Sequence, residues 1–247
     1  MSAEFVASLA MYPFQALRQP TDALWHSVRR HLGWGPDELE WIVLTPDVWH
    51  HPQLLLAQTC GWPLVTELAE FVAVVGTFDY DVPGSQGGYY RSVIVTRHDA
   101  TLAELRARPG SIAAVNAYDS LSGWVSLQHV WGGQPDAIVT GAHLESVRAV
   151  AEGRTDLASI DGVSWSQIQM LEPALVTSLR VIGEGPLVPC LPVVAHWSHA
   201  GHVAALRAAF AAAVAEPGLA ESLATLRIRG FVPMELADYS PLTALLG

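Results

Sequence analysis

Ile112-Ala113-Ala114-Val115-Asn116 leads into Ser120-Leu121-Ser122-Gly123, and Ala137-Ile138-Val139-Thr140 leads into Gly141-Ala142-His143. In both stretches an apolar, strand-like run ends in small hydroxyl or glycine residues, and a helical pattern begins at once. Leu54-Leu55-Leu56-Ala57-Gln58 running into Thr59-Cys60-Gly61 repeats the layout earlier in the chain. Free backbone N–H groups and the positive end of the helix dipole gather at such junctions, and a neighbouring hydroxyl adds a donor. Several such junctions predict a small oxyanion held at strand ends.

Outward from these stretches the alternation continues. The pattern predicts helix 102–107, strand 111–117, helix 121–131, strand 137–140, helix 143–152, strand 157–160, helix 164–170 and strand 179–183. Strands alternating with helices predict a parallel sheet covered on both faces. Before this block, Phe5–Met11, Glu40–Leu44, Leu54–Gln58, Phe71–Val75 and Tyr89–Thr96 read as strands. Ala23–His31 reads as an amphipathic helix opened by Pro20-Thr21-Asp22 and stopped by Gly33. Asp81-Val82-Pro83-Gly84-Ser85-Gln86-Gly87-Gly88 is a loop. After Gly185-Pro186 come an apolar run, Val188–Ala195, and an alanine-rich helix over 201–215.

Composition closes several function classes. At 247 residues with 51% hydrophobic and 15% charged, the chain can bury a large core and is not a disordered one. A net charge of −11 repels nucleic acid, and no basic cluster exceeds Arg29-Arg30. All 13 basic residues are arginine, which excludes a P-loop lysine, a Schiff-base lysine and a lysine general base. Cys60 and Cys190 are the only cysteines and lack zinc-type spacing, so no metal or other cofactor is expected. His196, His199 and His202 invite a metal reading, but the first is expected to end a strand and the others to begin a helix, with no carboxylate completing the set. No apolar run approaches about 18 residues, so no membrane insertion is expected. The N-terminus carries Glu4 and no basic region, which predicts a cytoplasmic protein, or a periplasmic one if a leader has been removed.

Gly88-Tyr89-Tyr90-Arg91-Ser92-Val93-Ile94-Val95, Ser120-Leu121-Ser122-Gly123, Gly141-Ala142-His143-Leu144-Glu145-Ser146, Ala158-Ser159-Ile160-Asp161 and Pro186-Leu187-Val188-Pro189 follow in that order. In order and spacing the chain, from about Phe5 to Tyr239, resembles the phosphate/phosphonate substrate-binding proteins of ABC transporters. The resemblance implies an α/β, two-lobed periplasmic-binding-protein fold of type II, each lobe a mixed, mostly parallel sheet flanked by helices. Residues 1–95 and 187–247 would form one lobe and 96–186 the other, with hinges near 94–97 and 184–188. It implies a small phosphate- or phosphonate-like oxyanion as ligand and an ABC transporter permease as partner. The family's Ser-Thr-Ser-Gly turn, which grips phosphonate oxygens, matches Ser120, Leu121, Ser122 and Gly123, with leucine replacing the threonine hydroxyl. Its histidine matches His143 and its acidic residue matches Asp161.

Each residue also has a purely structural reading. Ser120, Ser122 and Asp161 suit helix N-caps, and Thr59 to Gly61 suits a tight turn. His143 at a helix start is expected to have a depressed pKa and to donate one N–H as neutral imidazole. A carboxylate at Asp161 repels an oxyanion unless the ligand bears an acidic hydrogen or an amine. Among aromatics near the junctions, Tyr12 and Tyr89 are the expected ligand contacts, and Gln58, Thr59 and Cys60 complete the set from the first lobe. Two alternatives remain: a cytoplasmic ligand sensor or orphan paralogue, and a small-molecule hydrolase using Ser122, His143 and Asp161, although glycines required for a nucleophile elbow are absent at 120 and 124.

Overall fold

A computed structural model of the chain describes residues 5–41 and 45–246. Its strands are β1 (Val6–Ser8), β2 (Leu54–Gln58), β3 (Val72–Tyr80), β4 (Tyr89–Tyr90), β5 (Ser92–Thr96), β6 (Ile112–Val115), β7 (Asp136–Val139), β8 (Leu157–Asp161), β9 (Arg180–Glu184), β10 (Val188–Pro189), β11 (Pro192–His196) and β12 (Ile228–Val232). The strand expected over Glu40–Leu44 lies mostly outside the described residues. The chain divides into two compact units. The first holds the residues up to Asp81, Ser85–Tyr89 and Pro189–Leu242; the second holds Val82–Gly84, Tyr90–Val188 and the chain from Thr243 on.

The first unit is built on a sheet of order β1-β2-β11-β3-β12. β2 is buried along its whole length, and a continuous apolar run such as Leu54-Leu55-Leu56-Ala57 is what a strand covered on both faces requires. The helix Gln15–Leu32 buries Leu17, Thr21, Leu24, Trp25 and Val28, a stripe at helical spacing. That stripe explains why the helix starts eight residues before the expected Ala23 and runs through Pro20. The proline deletes one backbone hydrogen bond, whereas stopping there would expose Leu17; Thr21 Oγ1 donates to the Leu17 carbonyl at 2.8 Å. Helices Val203–Val214 and Ala220–Leu226 pack against it.

The second unit carries the sheet β7-β6-β8-β5-β9. Its core includes Ile94, Leu105, Ala113, Val115, Leu127 and Leu157, all fully buried. β6 runs parallel to β7 and β8, while β5 runs antiparallel to β8 and β9. β5 and β9 oppose each other because the chain enters the unit along one and leaves along the other. Both sheets are therefore mixed, but less parallel than expected: among the paired strands of the two large sheets, only β1–β2, β6–β7 and β6–β8 are parallel. Residues 90–95, expected with the first lobe, lie in the second unit because β5 sits between β8 and β9. Besides the short excursion at Val82–Gly84, the chain passes from one unit to the other within β4, back within β10, two short strands that pair with each other, and across once more after Leu242.

Candidate functional site

The parallel set β7-β6-β8 brings three strand ends to one edge of the second sheet. Val115 of β6 is in register with Val139 of β7, and Ala114 with Ala158 of β8. The pairing continues past the strands, with Thr140 N donating to Val115 O at 2.9 Å and Gly141 N donating to Asn116 O at 3.0 Å. Gly141 makes this turn at φ +88°, a left-handed value that glycine tolerates freely. The junctions after β6 and β7 are thereby tied together, and the helix His143–Ala151 starts beside the Ser120–Gly123 turn.

After β6 the chain does not enter an ordinary α-helix. Leu121–Val125 forms a π-helical turn, in which Val125 N donates to Ser120 O at 3.1 Å, and the α-helix Ser126–Trp131 follows. Single π turns inside helices recur at functional sites because they re-aim side chains. The first unit repeats the device: β2 ends at Gln58, Thr59 and Cys60 follow, and a π-helical turn forms over Leu64–Leu68. Sequence periodicity contains no signal that separates this turn from an α-helix.

Ser122 and His143 meet at the tied junctions, with Ser122 Oγ and His143 Nε2 3.0 Å apart. Ser122 is buried, and its carbonyl accepts from Ser159 Oγ at 2.6 Å. Burial pushes the His143 imidazole below the usual histidine range, and the nearby Asp161 carboxylate opposes that shift. The direction is the expected one; the cause is desolvation rather than the helix dipole. His143 retains some exposed surface, yet its Nδ1 is buried and has no hydrogen-bond partner. Asn116 Oδ1, at the end of β6, is likewise buried without a partner. Unsatisfied buried groups are costly, and both of these atoms lie at the edge where the strands β6 and β7 end. Asn116 escaped the sequence reading because it appears there only as the end of a strand.

The remaining candidates of this unit have structural duties as well. Ser120 Oγ accepts from Gly123 N at 3.0 Å, which is the capping role open to it, and lies 3.5 Å from Ser122 Oγ. Leu121 is buried and supplies no hydroxyl. Asp161 is buried and caps the helix Gly162–Leu171 by accepting from Ser164 N at 2.8 Å. Gly123 is sterically required, since a Cβ there would fall 2.0 Å from Asn116 Oδ1.

In the first unit, Gln58 Nε2 donates to Tyr80 Oη at 3.1 Å, and Tyr12 stacks edge-on against the Tyr80 ring with centroids 5.9 Å apart. Tyr80, unremarked in the sequence, therefore joins two expected residues. Thr59 is fully buried and its N–H donates to Pro192 O at 3.0 Å; Cys60 is half-buried and in no disulfide. Tyr89 is half-buried in β4. His196 ends β11 and His199 and His202 lie in the helical turn that follows, and the three rings come together. Ring centroids are 6.2 Å and 6.1 Å apart for successive pairs, and Phe5 and Trp34 pack against them. Among the described residues no His, Cys, Asp and Glu group is arranged to hold a metal ion.

A two-unit α/β chain with oxyanion-type junctions at its strand ends has the architecture of a solute-binding protein, and comparison with known proteins agrees. The family model for periplasmic substrate-binding proteins of ABC phosphonate transporters matches residues 51–239, and the chain belongs to that family. Its fold is similar to that of a binding-protein component of an ABC phosphonate transporter from Pseudomonas aeruginosa, with 16% identity, a TM-score of 0.80 and coverage of 98% of this chain and 84% of that one. It is also similar to PhnD1 from Prochlorococcus marinus in complex with methylphosphonate, with 15% identity, a TM-score of 0.77 and coverage of 98% and 96%. A Xanthomonas citri protein bound to ATP gives 15% identity, a TM-score of 0.70 and coverage of 98% and 95%. No curated protein matches the sequence. The family is one of periplasmic proteins, so the cytoplasmic expectation finds no support and the alternative, a periplasmic protein, fits.

Proposed function

We propose that this chain captures a small phosphorus oxyanion, phosphate- or phosphonate-like, in the periplasm and delivers it to an ABC transporter permease without altering it. The observation that carries this reading is the Ser122–His143 pair at the end of the parallel strands, with His143 Nδ1 and Asn116 Oδ1 buried and unpartnered beside it. Ser122 and His143 supply neutral donors for the oxyanion, whereas Asn116 Oδ1 and Asp161 only accept and suit a ligand that also bears an acidic hydrogen or an amine. Hydrogen bonds made in a desolvated site do not depend on the protein's net charge, which mainly sets the encounter rate.

Binding rather than hydrolysis is favoured by the histidine. A Ser-His-Asp triad needs the carboxylate on the second imidazole nitrogen to fix the tautomer and stabilise the imidazolium, and His143 Nδ1 has no such partner. Tyr12, Gln58, Thr59, Cys60 and Tyr89 of the first unit are proposed to complete the ligand's shell. Calorimetric titration with methylphosphonate, phosphite and phosphate tests the reading. Saturable binding of at least one that collapses in Ser122→Ala is expected; absence of binding by all three, or binding indifferent to Ser122, overturns it.

A further inference from the structure

The first unit contains a second cleft, unrelated to the strand-end junctions, between the end of helix Val203–Val214 and one face of helix Ala220–Leu226. It has a volume of about 450 Å³, within the range of small-molecule sites, and its walls include Pro217, Ala220, Leu223 and Ile228. Four charged residues also line it: Asp81, Glu216, Arg227 and Arg229.

Three of these charges are already committed. Arg229 grips Asp79 through two hydrogen bonds of 2.8 and 3.1 Å and pairs with Asp81 at 3.5 Å. Glu216 pairs with Arg30 at 2.9 Å and with His31 at 2.6 Å. Arg227 is different, because its guanidinium makes no hydrogen bond or ion pair among the described residues and its Nε is buried without a partner. Acidic residues outnumber basic ones 24 to 13 in this chain, yet this half-buried guanidinium is left open to an anion from outside the fold.

The backbone adds a second departure. Arg227 follows helix Ala220–Leu226 in the left-handed conformation, φ 58°, ψ 33°, and is the only non-glycine with positive φ among the described residues. Glycine is the usual occupant of that position, since a Cβ strains there. Asp81 N donates to the Arg227 carbonyl at 2.7 Å, so the strained conformation is held by the neighbouring chain. Strained residues of this kind cluster at ligand clamps and active sites.

We propose that this cleft binds a small aliphatic monocarboxylate, its head on the Arg227 guanidinium and its chain against Leu223 and Ile228. A single negative charge is selected because the Asp81 and Glu216 carboxylates line the same cleft and disfavour a dianion, which separates this ligand from the phosphorus oxyanion of the other unit.

Sodium hexanoate is the probe, titrated into the full chain and followed by backbone amide NMR. Signals of Ala215, Ala224 and Arg227 are expected to move saturably; Arg227→Gln should weaken binding at least tenfold, hexan-1-ol should bind at least tenfold more weakly than hexanoate, and Ser122→Ala should leave hexanoate binding unchanged. Arg227→Gly should likewise abolish binding while raising the unliganded melting midpoint by roughly 2–4 °C through relief of the left-handed strain. The proposal is overturned by the absence of saturable shifts at tens of millimolar, by equal binding in Arg227→Gln or of the alcohol, or by a lower midpoint in Arg227→Gly, which would assign the guanidinium to the fold.

Discussion

Two neighbouring serines on one turn have different tasks. Ser120 Oγ already accepts the Gly123 N–H, so Ser120→Ala is expected to cost about 1 kcal/mol of stability, the usual value of a lost cap, with a smaller effect on ligand affinity. Ser122 Oγ instead engages His143 and is free to reorient toward an oxyanion. Losing a hydrogen bond to a charged partner costs roughly 1.5–3 kcal/mol, so Ser122→Ala should weaken oxyanion binding by about one to two orders of magnitude, and it also costs about 1 kcal/mol of stability because His143 Nε2 loses its partner. Calorimetric affinities of the two variants, compared at similar stability loss, separate the roles. His143 gives a pH dependence whose sign follows from its burial. Its pKa in the folded chain lies below the value near 6.5 that it has when unfolded, so below that pH the unfolded state binds more protons and stability falls with falling pH. The contribution is fully present above about pH 6.5, and His143→Gln should flatten this part of the stability profile in denaturant titrations between pH 7.5 and 5.

The element scale shows where sequence was informative. Helix 102–107 was placed residue for residue, and Thr101 with Glu104 forms the capping box that such a start requires. β2 and the strands 112–115, 136–139 and 157–161 fall within a residue or two of their expected bounds because each is a short apolar run cut by turn residues. The π-helical turns were not legible, since they depend on how Ser120 and Cys60 leave their strands and not on hydrophobic spacing. Strand direction was not legible either: local pattern says that Ser92–Thr96 is a strand but not that it runs against β8. At the site, residue types at the junctions pointed to Ser122 and His143, whereas Asn116 became visible only through its buried, unpartnered oxygen. The contact between Asn116 and Gly123 makes a prediction about the turn as a unit. Gly123→Ala places a Cβ 2.0 Å from Asn116 Oδ1 and should destabilise the chain by roughly 1–3 kcal/mol while abolishing oxyanion binding. Adding Asn116→Ala removes the clash, so the double variant should recover most of the stability but not the affinity; strict additivity in the cycle would contradict the contact.

At the scale of the whole molecule, the decisive feature is that each unit owns its sheet and its core while the chain crosses between them at β4, at β10 and after Leu242. A unit with its own core can rotate as a body, and only the few residues at the crossings need to change backbone angles. The crossing segments suit that task, since Gly185 and Pro186 precede β10 and Gly87 and Gly88, both at positive φ, precede β4. If Ser122 and His143 of the second unit and Tyr12, Thr59 and Tyr89 of the first bind one ligand together, its differential affinity for the closed state is what drives closure. Small-angle scattering should then show a smaller radius of gyration at saturating methylphosphonate than without it. Ser122→Ala at the same ligand concentration should keep the unliganded radius, because a ligand that is not held cannot shift the population. A radius that is unchanged in the wild-type chain under proven saturation would assign the whole site to one rigid unit and remove the first-unit residues from it.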